Sequence, residues 1–291
     1  MKKVQLLPNL ITLANAFCGL LALAKAIDAL AFHGTDPLAF YERMESACFL
    51  VFLGMVFDSL DGLVARVARA YSDFGAQLDS FADALTFGVV PAMLAKVLIE
   101  HESEVTGYAG HPRLHFLAAA AFALMAILRL VRFTLEAEPE KEAHATFRGL
   151  PSPGAAGAVA SVIWLYLILR RPELEQTEGT PTPLHRVLRW METVEWGPIL
   201  DWVPVALVCL LPILGLLMVS RVRYVHPILL VFGGHGQFFT LVAVVFAVFL
   251  FYLAPVPFLF LLFNGFAAVG LLVPLVRRGV RGAPPPAEEG A

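Results

Sequence analysis

Four aspartates, Asp58, Asp61, Asp79 and Asp83, stand in a stretch that is otherwise largely apolar. Asp58 and Asp61 are three residues apart and Asp79 and Asp83 four apart, spacings that put each pair on one face of a helix. A short connection carrying Arg66, Arg69, Ser72, Asp73 and Gly75 separates the pairs, so two neighbouring helices would bring all four carboxylates together. Gathered carboxylates repel one another unless a positive charge joins them. An acidic, all-oxygen set suits a hard divalent cation, Mg²⁺ or Mn²⁺. Two such ions beside lipid point to phosphoryl chemistry, because together they neutralise a diphosphate and stabilise both the attacking and the leaving oxygen. Gly62 and Gly75 fit that use, since a missing side chain lets backbone approach a ligand or a packed helix. Taken singly, Asp58 or Asp61 also reads as a structural polar pair or a proton-relay carboxylate, and Arg66 and Arg69 as cationic flanks of a membrane span. Asp73, off the pattern, reads as a solvated loop residue.

The elements that would position these residues are membrane helices. Of 291 residues, 58% are hydrophobic and 15% charged, where soluble domains run to about a quarter charged. An ionisable group at mid-bilayer costs roughly 2.5–3.5 kcal/mol, so four in one short stretch call for a function. A bilayer-spanning helix needs about 20 mainly apolar residues. Eight runs answer to that: 8–32, 46–67, 79–100, 114–135, 153–169, 197–219, 238–253 and 256–276. The expected fold is therefore an all-α integral membrane protein of about eight transmembrane helices. Residues 1–225 would form a six-helix core, and 226–281 two additional spans meeting at Ala254-Pro255-Val256-Pro257, where proline cannot continue a helix. The Pro- and Glu-rich stretch 282–291 reads as a disordered tail. The first run is longer than a signal-peptide core of roughly 7–15 residues, so it reads as a retained helix.

With the N-terminus in the cytoplasm, thirteen of the 21 Lys and Arg fall on the cytoplasmic side and six on the outer side, and Lys25 and Lys96 lie within spans. That bias predicts both termini, and the aspartates, at the cytoplasmic face. The segment 170–196, with Trp190 and Trp196, reads as an amphipathic stretch on the outer surface. A net charge of −3 with no basic block excludes a nucleic-acid binder. Cys18, Cys48 and Cys209 have no disulfide or zinc spacing, and the eight histidines form no ligand-spaced cluster.

The run D-x2-D-G-x2-A-R-x8-G-x3-D-x3-D resembles the signature of the CDP-alcohol phosphotransferase family, and Asp58, Asp61, Gly62, Ala65, Arg66, Gly75, Asp79 and Asp83 match it at every specified position. The resemblance implies that Asp58, Asp61 and Asp79 hold two Mg²⁺ or Mn²⁺ ions, with Asp83 bordering the same metal site. It implies that Asp83 is the base that deprotonates the acceptor hydroxyl, and that Gly62, Ala65, Arg66 and Gly75 shape a pocket for the cytidine and diphosphate of CDP-diacylglycerol. Asn9 and Thr12 either cap the first helix or contact the nucleotide. A homodimer and a bacterial or archaeal cell membrane are further implications.

Three other stretches are similar to the serine-using members of that family: Leu7 to Asn15, Asp79 to Ala92, and Arg129-Leu130-Val131-Arg132-Phe133 followed by Phe147-Arg148-Gly149-Leu150-Pro151-Ser152-Pro153. Met218 to Tyr224 is a shorter echo. L-serine offers a carboxylate besides its hydroxyl, and an arginine is its natural partner. Arg129, Arg132 and Arg148, with Ser152 on a rigid turn, are the expected serine-binding residues; their plain readings are cationic flanks and, for Ser152, a helix cap. Val131 stands where the family usually has alanine, and Thr134 where asparagine is common. Glycerol 3-phosphate or an inositol phosphate is the alternative acceptor, and a carboxylate-based transporter the alternative class.

Overall fold

The computed structural model describes residues 6–67, 72–105, 110–136, 146–170, 197–225 and 237–281. The chain begins with α1 (Leu6–Leu30), whose buried face recurs every three to four residues through Asn9, Thr12, Asn15, Gly19, Ala22, Ala26 and Ala29. These are small or short polar side chains, so α2 (Pro37–Val67) packs closely along the whole of α1. The reversal between them passes through Gly34 at φ +70°. Asp36 Oδ1 then accepts from the Ala39 amide at 3.1 Å, capping α2 ahead of Pro37.

The next rod is built from three pieces. α3 (Asp73–Asp83) starts at Ser72, whose hydroxyl accepts from the Gly75 amide at 3.0 Å. A π-helical turn, Ala84–Val89, follows, and α4 (Val90–Val105) completes the rod. The expected loop around Asp73 and Gly75 is thus the first turn of α3: an N-cap and an acidic first turn outweigh the low helix propensity of Gly75. α5 (Pro112–Glu136), β1 (Thr146–Arg148), α6 (Ser152–Arg170), α7 (Gly197–Leu200), α8 (Val203–Val219), β2 (Arg223–Val225), α9 (Gln237–Leu253) and α10 (Pro255–Arg281) complete the order.

Among the described residues, six helical rods are long and apolar enough to cross a membrane: Leu6–Leu30, Pro37–Val67, Asp73–Ser103, Pro112–Leu135, Ser152–Arg170 and Gly197–Val219. In the third and fifth, 67% of the apolar window is buried, against 28% to 39% in the others. Two central rods are therefore ringed by four that turn Phe17, Leu20, Phe116, Leu124 and Leu216 outward. An outward apolar belt on six such rods makes this a multi-pass membrane protein.

The expected count of eight spans is met only to six. In α9 and α10 the apolar stretches Thr240–Leu253 and Pro255–Gly270 are shorter than a full span among the described residues. α10 nevertheless docks on α6: Asn264 Nδ2 donates to Ser161 Oγ at 3.1 Å, and a Cβ on Gly157 would lie 2.4 Å from the Phe263 ring. The helical body carries one small antiparallel ribbon, pairing Thr146 with Val225, Phe147 with Tyr224 and Arg148 with Arg223. Gly149 follows at φ +80°, its amide donating to the Val222 carbonyl at 2.8 Å. The expected surface stretch 171–196 and tail 282–291 lie outside the described residues.

At the end of the bundle away from the aspartates sits a second polar cluster. The Tyr41 hydroxyl donates to Glu102 Oε1 at 3.0 Å, Tyr166 adjoins the same carboxylate, and Glu102 is fully buried. His101 stacks on Phe40 with centroids 3.7 Å apart, and Arg170 pairs with Asp201 at 3.1 Å.

Candidate active site

The carboxylates come from the last turns of α2 and from α3. Asp58, Asp61 and Asp79 each offer an oxygen, and these three oxygens lie within 4.8 Å of one another. That separation suits shared coordination of a cation, and the all-carboxylate donor set matches Mg²⁺ or Mn²⁺ rather than a softer metal. Asp61 is buried, at 6% exposure, while Asp58 and Asp79 are half-buried. Asp83, one turn beyond Asp79, borders Asp58 and receives a hydrogen bond from Asn15 Nδ2 to its Oδ1 at 3.2 Å. The triad and Asp83 therefore form one patch, built by two helices that the 68–71 connection keeps adjacent in sequence.

Beside the patch opens a cavity of about 390 Å³. Gly62, Ala65, Arg66 and Gly75, the residues expected at a nucleotide diphosphate, line it together with Asn9 and Thr12, expected as helix caps or nucleotide contacts, and with Asp61 and Asp79. Its walls follow from local packing. A Cβ on Gly75 would sit 3.1 Å from Asn9 Oδ1 and 3.0 Å from Ser72 Oγ, so glycine lets α1 and α3 close over the cavity. Thr12 donates to the Pro8 carbonyl at 3.1 Å and lies beside Asp61. Arg66 Nε donates to the Gly62 carbonyl at 3.0 Å, which holds an exposed guanidinium over the mouth.

The residues expected at serine divide. Arg129, on α5, reaches across to α6: its Nη1 donates to Ser152 Oγ at 2.5 Å, its Nε is buried with no partner among the described residues, and its charge is within reach of Asp83. Ser152 is the first residue of α6 and fully buried. Arg132 Nη1 instead points to the Val219 carbonyl at the end of α8, at 3.4 Å. The backbone of Arg148 lies in β1, and its side chain is outside what the structure describes. Sequence reasoning gave no role to Asn15, Ser72 or Thr86, although Asn15 sits on the same helix face as Thr12 and Gly19, a polar step in an apolar helix.

The chain matches the CDP-alcohol phosphatidyltransferase family model over residues 5–249. It is 33% identical over 160 residues to the CDP-diacylglycerol–serine O-phosphatidyltransferase of Bacillus subtilis strain 168, covering 55% of this chain and 76% of that protein. The enzyme of the same name from Saccharomyces cerevisiae is 29% identical over 228 residues, 78% of this chain and 64% of the relative. The archaetidylserine synthase of Methanothermobacter thermautotrophicus is 33% identical over 157 residues, 53% of this chain and 56% of the relative. For the yeast and archaeal proteins the match spans less than two thirds of the relative's own length.

Proposed function

The chain belongs to the CDP-alcohol phosphatidyltransferase family, transferases of phospholipid synthesis, and from that premise we propose that it moves the phosphatidyl group of CDP-diacylglycerol onto the hydroxyl of L-serine, releasing CMP. The observation that carries the reading is the convergence of three carboxylate oxygens within 4.8 Å at the wall of a cavity lined by Asn9, Thr12, Gly62, Ala65, Arg66 and Gly75. The names of the relatives support serine as the acceptor.

Asp58, Asp61 and Asp79 would hold the divalent cations, with Asp83 at their border, and cations there would neutralise the diphosphate as its negative charge is redistributed. Arg66 adds charge-assisted hydrogen bonds to the same diphosphate at the cavity mouth. Arg129, whose charge is within reach of Asp83 and whose Nη1 is held by Ser152, takes the serine carboxylate. Arg132 and Arg148 are the further candidates for the serine carboxylate. Asp83 accepts the proton of the serine hydroxyl. The serine oxygen then bonds to the phosphorus that bears diacylglycerol, and the bond from that phosphorus to the bridging oxygen breaks. The electron pair leaves with CMP. The aspartate end of the bundle faces the cytoplasm, in keeping with the Lys and Arg bias.

The test is CMP release by the purified full chain supplied with CDP-diacylglycerol and Mn²⁺ or Mg²⁺, with and without L-serine. Serine-dependent CMP that disappears in Asp83→Asn is the expected result. CMP formed only with glycerol 3-phosphate or an inositol phosphate would leave the family and remove serine. No CMP with any alcohol or either metal would remove the transferase reading.

A further inference from the structure

We infer that Asn15 is a positioning residue for Asp83, held in register by a packed knot around Thr86; the inference rests on the phosphatidyl-transfer reading above. Asn15 lies midway along α1 with zero exposure, among buried neighbours that are small and mostly apolar: Cys18, Ala22 and Ala26. Its Nδ2 donates to Asp83 Oδ1 at 3.2 Å, across 68 positions of sequence. Its own Oδ1 is buried and without a partner among the described residues. A half-satisfied amide in a dry helix interface is costly, and alanine would avoid the cost. The contact that remains, to the carboxylate, is what the amide is there for.

The surroundings fix where that amide can be. Thr86 is fully buried in the π-helical turn that directly follows Asp83, and its Oγ1 donates to the Asn15 carbonyl at 3.1 Å. A Cβ on Gly19 would fall 2.5 Å from Thr86 Oγ1. A Cβ on Gly54 would fall 2.8 Å from Thr86 Cγ2 and 3.0 Å from Asn15 Oδ1. Glycine at both places lets α1 and α2 close on Thr86, so three elements meet at one point one turn past Asp83. The knot sets the height of α1 against α3, and Asn15 converts that register into an orientation of the carboxylate. Because the amide is neutral, it turns Asp83 without becoming its counter-ion.

The experiment measures serine-dependent CMP release by the full-length protein carrying Asn15→Ala, Asn15→Leu, Thr86→Val or Thr86→Ser, beside wild type. Loss of an outer hydrogen bond of this kind costs about 10–100-fold in activity. Asn15→Ala is expected to lose that much in kcat, with KM for CDP-diacylglycerol, KM for serine and half-saturating Mn²⁺ each within about 2-fold. Asn15→Leu, of similar volume but without a donor, is expected to be no better than alanine. Thr86→Val is expected to show the same kcat-selective loss, and Thr86→Ser to stay within about 3-fold of wild type. A wild-type kcat in Asn15→Ala or Asn15→Leu overturns the inference, as does a loss spread equally over kcat, both KM values and the metal requirement. If the Asn15 variants do not fold, equal activity of the two Thr86 variants overturns it. Absence of CMP from wild type overturns the transfer reading and this inference with it, which separates that failure from the others.

Discussion

Gly149 occupies φ +80°, and a Cβ there would lie 2.2 Å from the Met218 carbonyl oxygen. Gly149→Ala is expected to cost about 1–3 kcal/mol in backbone strain alone, read as a lower unfolding temperature in detergent, and to reduce CMP release because the turn leads directly into Ser152. At Asp61, the most buried of the triad, replacement by Asn removes a charge and leaves the cavity shape. Asp61→Asn is expected to raise half-saturating Mn²⁺ by more than about 10-fold, measured as CMP release against metal concentration. Asp61 stood out in the sequence for a physical reason, since a carboxylate in an apolar run is an expensive choice that needs a cause, whereas Gly149 stood out only within a stretch of family resemblance. Asn15 did not stand out in that way. One amide in an apolar helix has many innocent readings, and its partner, 68 positions away, is fixed only by how the helices pack.

The hairpin of α2 and α3 carries the whole aspartate pattern, and its helical spacing was readable because i, i+3 and i, i+4 positions share a face whatever the helix packs against. The π-helical turn at Ala84–Val89 was not readable, since a wider turn has no residue signature and follows from the tertiary fit around Thr86. The last two helices were legible as apolar runs, but their docking was not. Tyr224 of β2 is buried against α10: its hydroxyl donates to the Ala267 carbonyl at 3.4 Å, and burial pushes its ionisation up to about 12. A Cβ on Gly270 would fall 1.9 Å from the Tyr224 ring. Gly270→Ala therefore forces Tyr224 or α10 aside. An overpacking cost of about 1–3 kcal/mol is expected, seen as a lower unfolding temperature, with a fall in CMP release passed from β2 through β1 to the Gly149 turn.

For the whole molecule, that helices cross a membrane was legible from composition, whereas which of them form the centre was not. Every span is apolar when its surroundings are either lipid or protein, so only the assembled bundle separates the central rods from the four around them. The proposed orientation has a direct check in a background with Cys18, Cys48 and Cys209 replaced. A cysteine at Gly110 is expected to react with an impermeant maleimide in intact cells, and one at Asp73 only after permeabilisation. The fully buried Glu102 bears on how such a bundle is made. Its carboxylate belongs to α4, one hydroxyl beside it, Tyr41, to α2, and the other, Tyr166, to α6, which leaves the ribosome two helices later. A helix carrying that group is poorly suited to enter lipid by itself, so α4 is expected to remain at the insertion machinery against α2 until α6 arrives. Arrested chains ending after α5 should still cross-link to that machinery through α4, and chains extended past Arg170 should not. The moment at which α4 enters the lipid is thus expected to be set by a carboxylate at the end of the bundle away from the aspartates.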